Sequence, residues 1–432
     1  MIPEGGWHSM VCRKLAACFA LITGLAVAQP LPEFDERVHE GVASCASSVC
    51  HGKTSQAEDS PVWLNEYRFW LRRDYHSRAY KTLETDQSRR IAEKLGLPSA
   101  TSAKICLDCH ADNVASDQRG RRFQISDGVG CEACHGGSQD WLESHAEAGT
   151  SHTDNILRGL YPTDQAVART KLCLSCHLGT QDKFASHEIM GAGHPRLSFD
   201  LLTFTANQPA HYTVDDDYLR RGKIVYPATS LMLAGLVLQS QQSLTLLNSP
   251  LYPGHPVMPE LAFYQCHDCH HSMASLRWQP EGQPDPLPPG TVRLNDGPLT
   301  VLMTAVDALG WASAKELENG WQRLHQASQT SVAALQAEAE NLVATLEPMV
   351  DVALDTRVSA DEQRVLRRQL LDAAASGRYR HFTAAELAFL AVESISISLG
   401  DEGGFKQSMD NWYETLANED AFSPQQFAVS AR

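Results

Sequence analysis

The chemistry-bearing residues of this chain fall into five short segments. Four read C-x-x-C-H: Cys106-Leu-Asp-Cys109-His110, Cys131-Glu-Ala-Cys134-His135, Cys173-Leu-Ser-Cys176-His177 and Cys266-His-Asp-Cys269-His270. Upstream of them, Cys45-Ala-Ser-Ser-Val-Cys50-His51 is a C-x4-C-H version with two extra loop residues. Two thiols at such spacing can each form a thioether to a haem vinyl group, and the histidine beside the second thiol then reaches the iron as proximal ligand. Zinc ribbons, disulfides and thioredoxin-like centres also use C-x-x-C pairs, but none needs a histidine at that one position. Histidine is 18 of 432 residues, so its chance appearance there in all five segments is on the order of 10⁻⁷. The segments therefore read as sites for five covalent c-type haems, with His51, His110, His135, His177 and His270 on the irons.

The remaining cysteines agree with this reading. Of 12 in the chain, ten lie in the motifs, and Cys12 and Cys18 lie in a start that reads as a secretory signal. Arg13 and Lys14 supply its positive end, Leu15 to Ala28 its apolar stretch, and Ala26-Val27-Ala28 before Gln29 a cleavage site. The apolar run is shorter than the ~20 residues a spanning helix needs. Leu15-Ala16-Ala17-Cys18 resembles a lipobox in letters, yet it precedes most of the apolar stretch instead of ending it. Residues 1–28 are thus expected to be removed on export to the periplasm or beyond, the side of the membrane where c-type attachment takes place. The formal charge of -16 argues against nucleic acid as a partner. Haem propionates would add about ten further negative charges, so a docking partner should be basic or locally complementary.

The elements that must position these sites differ along the chain. Residues 29–278 carry every motif, with glycines, prolines and polar loops between short apolar runs, and read as short helices and loops around packed haems. Leu231 to Leu238, the most apolar run there, is expected to be a buried helix of eight residues. Residues 279–292 form a proline-rich linker, with Pro280, Pro284, Pro286, Pro288 and Pro289. Beyond it, residues 293–432 read as a helical C-terminal domain. Leu317, Trp321 and Leu324 share one helix face, as do Leu335, Ala339, Leu342 and Leu346. Ser359 with Glu362 and Thr383 with Glu386 are expected capping boxes, and Gly377 and Gly400 stand where those helices should stop. The expected fold class is mainly α, a multihaem cytochrome c followed by helices that cover the haem array or meet a partner.

The order of Cys45…His51, Trp63 to His76, Cys106…His110, Gly128-Val-Gly-Cys-Glu-Ala-Cys-His135-Gly, Glu143-Ser-His145 and Cys173…His177 resembles the tetrahaem cytochrome c-554 family of nitrifying bacteria. The likeness covers roughly Cys45 to His187. It implies that His76 ligates the iron of His135 and His145 that of His51, and that the haem of His110 lacks a second protein ligand. The C-x4-C-H spacing, the fifth motif and the C-terminal helices depart from that family. Met190-Gly-Ala-Gly-His194-Pro-Arg-Leu-Ser-Phe199 and Cys266-His-Asp-Cys269-His270-His271 look similar to larger multihaem members of the same superfamily.

For the uncertain second positions His187, His194 and His211 rank first, and His271 could reach a neighbouring iron although it cannot cap its own. No histidine between Asp112 and Cys131 can cap the haem of His110 locally. His267 is expected to be exposed, and His39, His152, His255, His325 and His381 to be surface or packing residues. Histidines outnumber well-placed methionines, so bis-histidine haems of comparatively low potential should dominate. The leading expectation is an exported electron carrier serving redox protein partners. The alternatives are an oxidoreductase of small nitrogen compounds at an open haem and a haem-bearing subunit of a larger redox assembly. Attachment at the periphery of a membrane redox complex and oligomerisation stay open.

Overall fold

Polar residues, glycines and prolines interrupt the haem-motif half so often that no long helix forms before residue 228, and four of the five attachment segments are carried at the ends of shorter helices. The computed structural model describes residues 29–56, 62–253, 258–270, 287–288 and 290–432. Among these residues it is mainly helical with no strand; two isolated bridges join His39 to Arg119 and Tyr264 to Leu294. The signal-like residues 1–28, His255, His271 and most of the proline-rich linker lie outside the described residues.

Helices α1 (Glu66–Arg73), α2 (Lys104–His110), α3 (Cys131–His135), α4 (Ala166–His177), α5 (His187–Ala192), α6 (Ala228–Leu247) and α7 (Cys266–Cys269) run through this half. In α2, α3, α4 and α7 the C-x-x-C pair occupies the last turn, where residues three apart share a face and the following histidine leaves at the helix end. The longer first motif is a closed loop instead. Cys50 N donates to Ser47 O at 3.0 Å and His51 N to Cys45 O at 3.0 Å, so the two extra residues bulge outward while the cysteine and histidine ends meet. Gly52 is needed there: a Cβ on it would lie 2.1 Å from the Ala46 carbonyl oxygen.

The second half is a helical bundle: α8 (Gly297–Ala308), α9 (Ala314–Ser328), α10 (Val332–Asp355), α11 (Ala360–Ala375), α12 (Phe382–Leu399), α13 (Glu402–Glu414) and α14 (Pro424–Ser430). Leu335, Ala339, Leu342 and Leu346 all point into its core, as the periodicity predicts. The Ser359 capping box forms, with Glu362 Oε2 accepting from Ser359 N at 2.8 Å. Thr383 does not cap: α12 starts one residue earlier, and Glu386 is drawn away to pair with Arg196. Gly377 and Gly400 close α11 and α12 with φ of 81° and 69°. Helix α12 is long and apolar enough to cross a membrane, yet Ala385 and Ala388 are fully buried in the bundle, as in a core helix.

The boundary expected at residues 279–292 does not separate two cores. Helix α6 precedes it but packs mainly on α10, and also on α8, α12 and α4. One apolar cluster runs from Leu174 through Leu233 and Leu302 to Phe427. The cause is that α6 is apolar around its whole circumference from Leu231 to Leu238 and needs cover on every side there. It is also much longer than the eight-residue run suggests. Ser240 Oγ, Ser243 Oγ and Thr245 Oγ1 donate to the carbonyls of Leu236, Gln239 and Gln241, which lets the helix carry its polar half.

Candidate haem sites

Each of the five motif histidines faces one other histidine. Ring centroids stand 6.0 Å apart for His51 and His145, 6.3 Å for His76 and His177, and 6.3 Å for His110 and His194. They stand 6.2 Å apart for His135 and His211 and 6.0 Å for His187 and His270. Packed aromatic rings also show centroid separations of about 4.5–7 Å, so one such pair would carry no weight. Here every motif histidine has a partner from outside the motifs and none is left over. Two imidazoles on opposite sides of one metal, each bound at about 2.0–2.1 Å, hold their rings at about this separation. The observed separations match, so the residues fit the cofactor.

The ring nitrogens point the same way. His110 Nδ1 bonds to Ala79 O at 3.1 Å, His145 Nδ1 to Trp141 O at 3.1 Å and His194 Nδ1 to Pro195 O at 2.7 Å. A carbonyl only accepts, so these rings carry their proton on Nδ1 and present the Nε2 lone pair. His51 Nδ1 pairs with Glu66 at 2.9 Å and His76 Nδ1 with Asp74 at 2.8 Å, the carboxylate support that orients metal-bound histidines. Burial holds His135 at a pKa of about 3 and His177 at about 4, assisted by the facing His211 and His76. Both therefore stay neutral, the form that ligates iron. By contrast, His152, His267 and His325 use Nε2 in hydrogen bonds, to Asp164 Oδ1, Glu419 O and Asp296 Oδ2.

The ten histidines named from sequence are thus the ten that pair, but two placements implied by the family likeness change. His76 faces His177, not His135. Its backbone is tied beside the third motif, its carbonyl accepting from Val129 N at 3.1 Å where a Cβ on Gly128 would intrude at 2.8 Å, while Asp74 turns the ring towards the fourth. His211 takes the place opposite His135. Nor is His110 left facing open space. The turn after α5 brings His194 to it, held by Lys94 Nζ on Ala192 O at 3.1 Å and Gln87 Nε2 on Gly193 O at 3.1 Å. His267, expected to be exposed, is buried against Phe382 and Phe422. His39 and His325 are buried inside the protein, and His152 and His381 lie partly covered.

Sequence reasoning missed the supporting carboxylates. Asp74 left a trace, since it also accepts from the backbone N of His76 two residues on, the local pattern of a capping aspartate. Glu66 left none, because it meets His51 only through the fold.

Four attachment segments at helix ends and one in a closed loop, each histidine opposed by another, define a c-type cytochrome with covalently bound haem. A family model described as cytochrome c554 and c-prime matches residues 43–136, which contain the first three motifs. The chain is also similar to cytochrome c-554 of Nitrosomonas europaea, 28% identical over 142 residues, or 31% of this chain and 51% of that protein. The chain thus spans about half the length of the curated relative it matches. No solved structure gives a significant match. The chain is a c-type cytochrome resembling that family, and its fourth and fifth motifs and its bundle lie beyond the family match.

Proposed function

We propose that the chain is an exported pentahaem cytochrome that relays electrons between redox partners, each iron held between two histidines: His51 with His145, His110 with His194, His135 with His211, His177 with His76, and His270 with His187. The single observation that carries this is the set of five histidine pairs at the spacing of two imidazoles on one metal. A haem iron supplies one-electron chemistry, and two histidines leave it no open position. The protein's part is to fix the rings of His51, His76, His110, His145 and His194 through Nδ1 and to keep His135 and His177 neutral by burial.

The attachment segments also form a series. The sulfurs of Cys45 and Cys131 are neighbours, as are those of Cys109 and Cys176, and Cys134 lies near Cys173 and Cys176. Helix α5 with its following turn presents His187 to His270 and His194 to His110. This supports a relay in the order first, third, fourth, second and fifth motif, with the first and fifth as its ends. Cys269 at the fifth is exposed, as Ser47 to Val49 are in the first loop. Both ends are therefore available to partners.

The test is the covalent haem count of the exported, denatured protein by mass spectrometry. Five are expected, falling towards four in Cys50→Ala. If Cys45–Cys131 and Cys109–Cys176 were disulfides instead, both bridges would appear in the mass and the haem count would collapse, which would end this reading. Coordination is tested by electron paramagnetic resonance: five low-spin ferric haems are expected, and a high-spin signal in the wild type would return the catalytic alternative.

A further inference from the structure

We propose that the strip from Glu66 to Thr82 is the docking face for an acidic electron-transfer protein, a partner opposite in sign to the one that the whole-chain charge favours. The proposal rests on the relay reading above and names the kind of partner that relay serves.

The strip is helix α1 followed by the helical turns Tyr75–Arg78 and Ala79–Thr82, each packed on the one before. Its inner side serves the histidines of the relay. Glu66 Oε2 holds His51 Nδ1 at 2.9 Å, Asp74 Oδ1 holds His76 Nδ1 at 2.8 Å, and the Ala79 carbonyl holds His110 Nδ1 at 3.1 Å. One short stretch of chain therefore backs the ligands of the first, fourth and second irons.

The outer side has the opposite sign to the molecule as a whole. Between Trp63 and Leu83 the sequence holds five basic residues and two acidic ones, in a chain of formal charge -16. Both acidic side chains, Glu66 and Asp74, are the ones turned onto His51 and His76. Arg72, Arg73, Arg78 and Lys81 are all exposed, and none of them has an ion-pair partner among the described residues. Exposed cations elsewhere commonly stand beside an acid, as Arg89 does beside Asp86, Arg364 beside Asp361 and Lys406 beside Asp410.

The same face carries apolar anchors. Leu71 is 47% and Tyr75 79% exposed, and the Arg78 guanidinium lies 4.8 Å from the centroid of the Tyr75 ring. Exposed aromatic and arginine side chains are the residues that protein interfaces concentrate. An acidic protein in contact with this strip meets its cations at close range, whereas charges farther off are screened over a Debye length of about 8 Å at physiological salt. A lipid surface would meet the same cations, but it has no use for the iron ligands directly beneath them. Docking here moves one electron between the partner's centre and an iron, with no bond made or broken.

The experiment measures the second-order rate of reduction of the full, haem-loaded protein by reduced flavodoxin, an acidic one-electron donor, across a range of salt. Wild type is compared with Arg72→Gln/Arg73→Gln, with Lys81→Glu, and with Arg357→Gln/Arg368→Gln on exposed positions of the bundle; each changes the net charge by the same amount. The wild-type rate should fall as salt rises, in spite of the chain's negative charge. Both strip variants should be about tenfold slower or more at low salt, with the salt dependence flattened or reversed, and the bundle variant should stay within about twofold of wild type. If the double variant fails to fold, Lys81→Glu still decides. A wild-type rate that rises with salt, or a bundle variant slowed as much as the strip variants, overturns the proposal. Shifted midpoints or lost haem in the strip variants would assign these cations to haem propionates and also overturn it. So would binding to phosphatidylglycerol vesicles that Arg72→Gln/Arg73→Gln abolishes while its flavodoxin rate is unchanged. A wild-type count below five haems would instead strike the relay reading, while the salt dependence still decided the docking face.

Discussion

His194→Ala isolates one iron. The ring of His194 stands 6.3 Å from that of His110, nearly perpendicular to it, with Nδ1 spent on its own turn. Alanine leaves a methyl group roughly 5 Å from a metal held by the opposite imidazole, whereas iron-bound carbon monoxide extends only about 3 Å. The backbone should stay in place, since Lys94 and Gln87 hold Ala192 and Gly193 through their carbonyls. Among the described residues, His187 on the helix before His194 already faces His270. The expected outcome is one carbon monoxide bound per reduced chain, a change in about one fifth of the haem absorption, and one high-spin ferric signal beside four low-spin ones. His152→Ala, whose ring bonds to Asp164, serves as control and should bind none. Absorption spectra with gas titration read both variants. Carbon monoxide binding by the wild type, or an unchanged His194→Ala protein, would refute the pairing and restore the open iron that the family likeness implies for this haem.

Two further outcomes test how the halves hold together. Arg196 is 15% exposed at its side chain and donates to Glu386 Oε2 at 3.1 Å and Glu419 Oε1 at 2.9 Å while lying over Phe382; Arg196→Ala should cost about 2–3 kcal/mol, discounted for the partly exposed glutamates, with a shift of less than about 1 kcal/mol in denaturant unfolding counting against the clamp. Burial raises the pKa of Asp296, but His325 and Trp321, both hydrogen-bonded to Oδ2, outweigh it and leave it below the ordinary 3.8. Its contribution is therefore present above that pH and lost as pH falls through the lower folded value; Asp296→Asn should be less stable at neutral pH and should lose less stability on acidification, checked by unfolding at a series of pH values.

What could be read in the sequence follows the range of the interactions. Attachment chemistry is local, because both cysteines and the proximal histidine must sit within a turn, so Cys45 to His51 could be read even with its two extra residues. The five histidines that face the motif histidines can be picked out of the thirteen outside the motifs by the family likeness and by their turns, but their pairing cannot. His76 has its backbone beside the third motif and its ring towards the fourth, and only the Asp74 contact and the tether to Val129 distinguish the two. His194 comes to His110 from beyond two further attachment segments, which no local pattern announces. The same limit applies to the fold. Helix α6 looks like a haem-domain helix because of its place in the chain, yet its all-round apolar surface belongs to the bundle core. The bundle in turn reaches back: Glu386 and Glu419 hold Arg196, two residues past His194, and the Glu419 carbonyl holds His267 inside the fifth attachment segment. A C-terminal half that carries no haem motif thus grips the fifth site directly, so disturbing it should alter that haem before the other four.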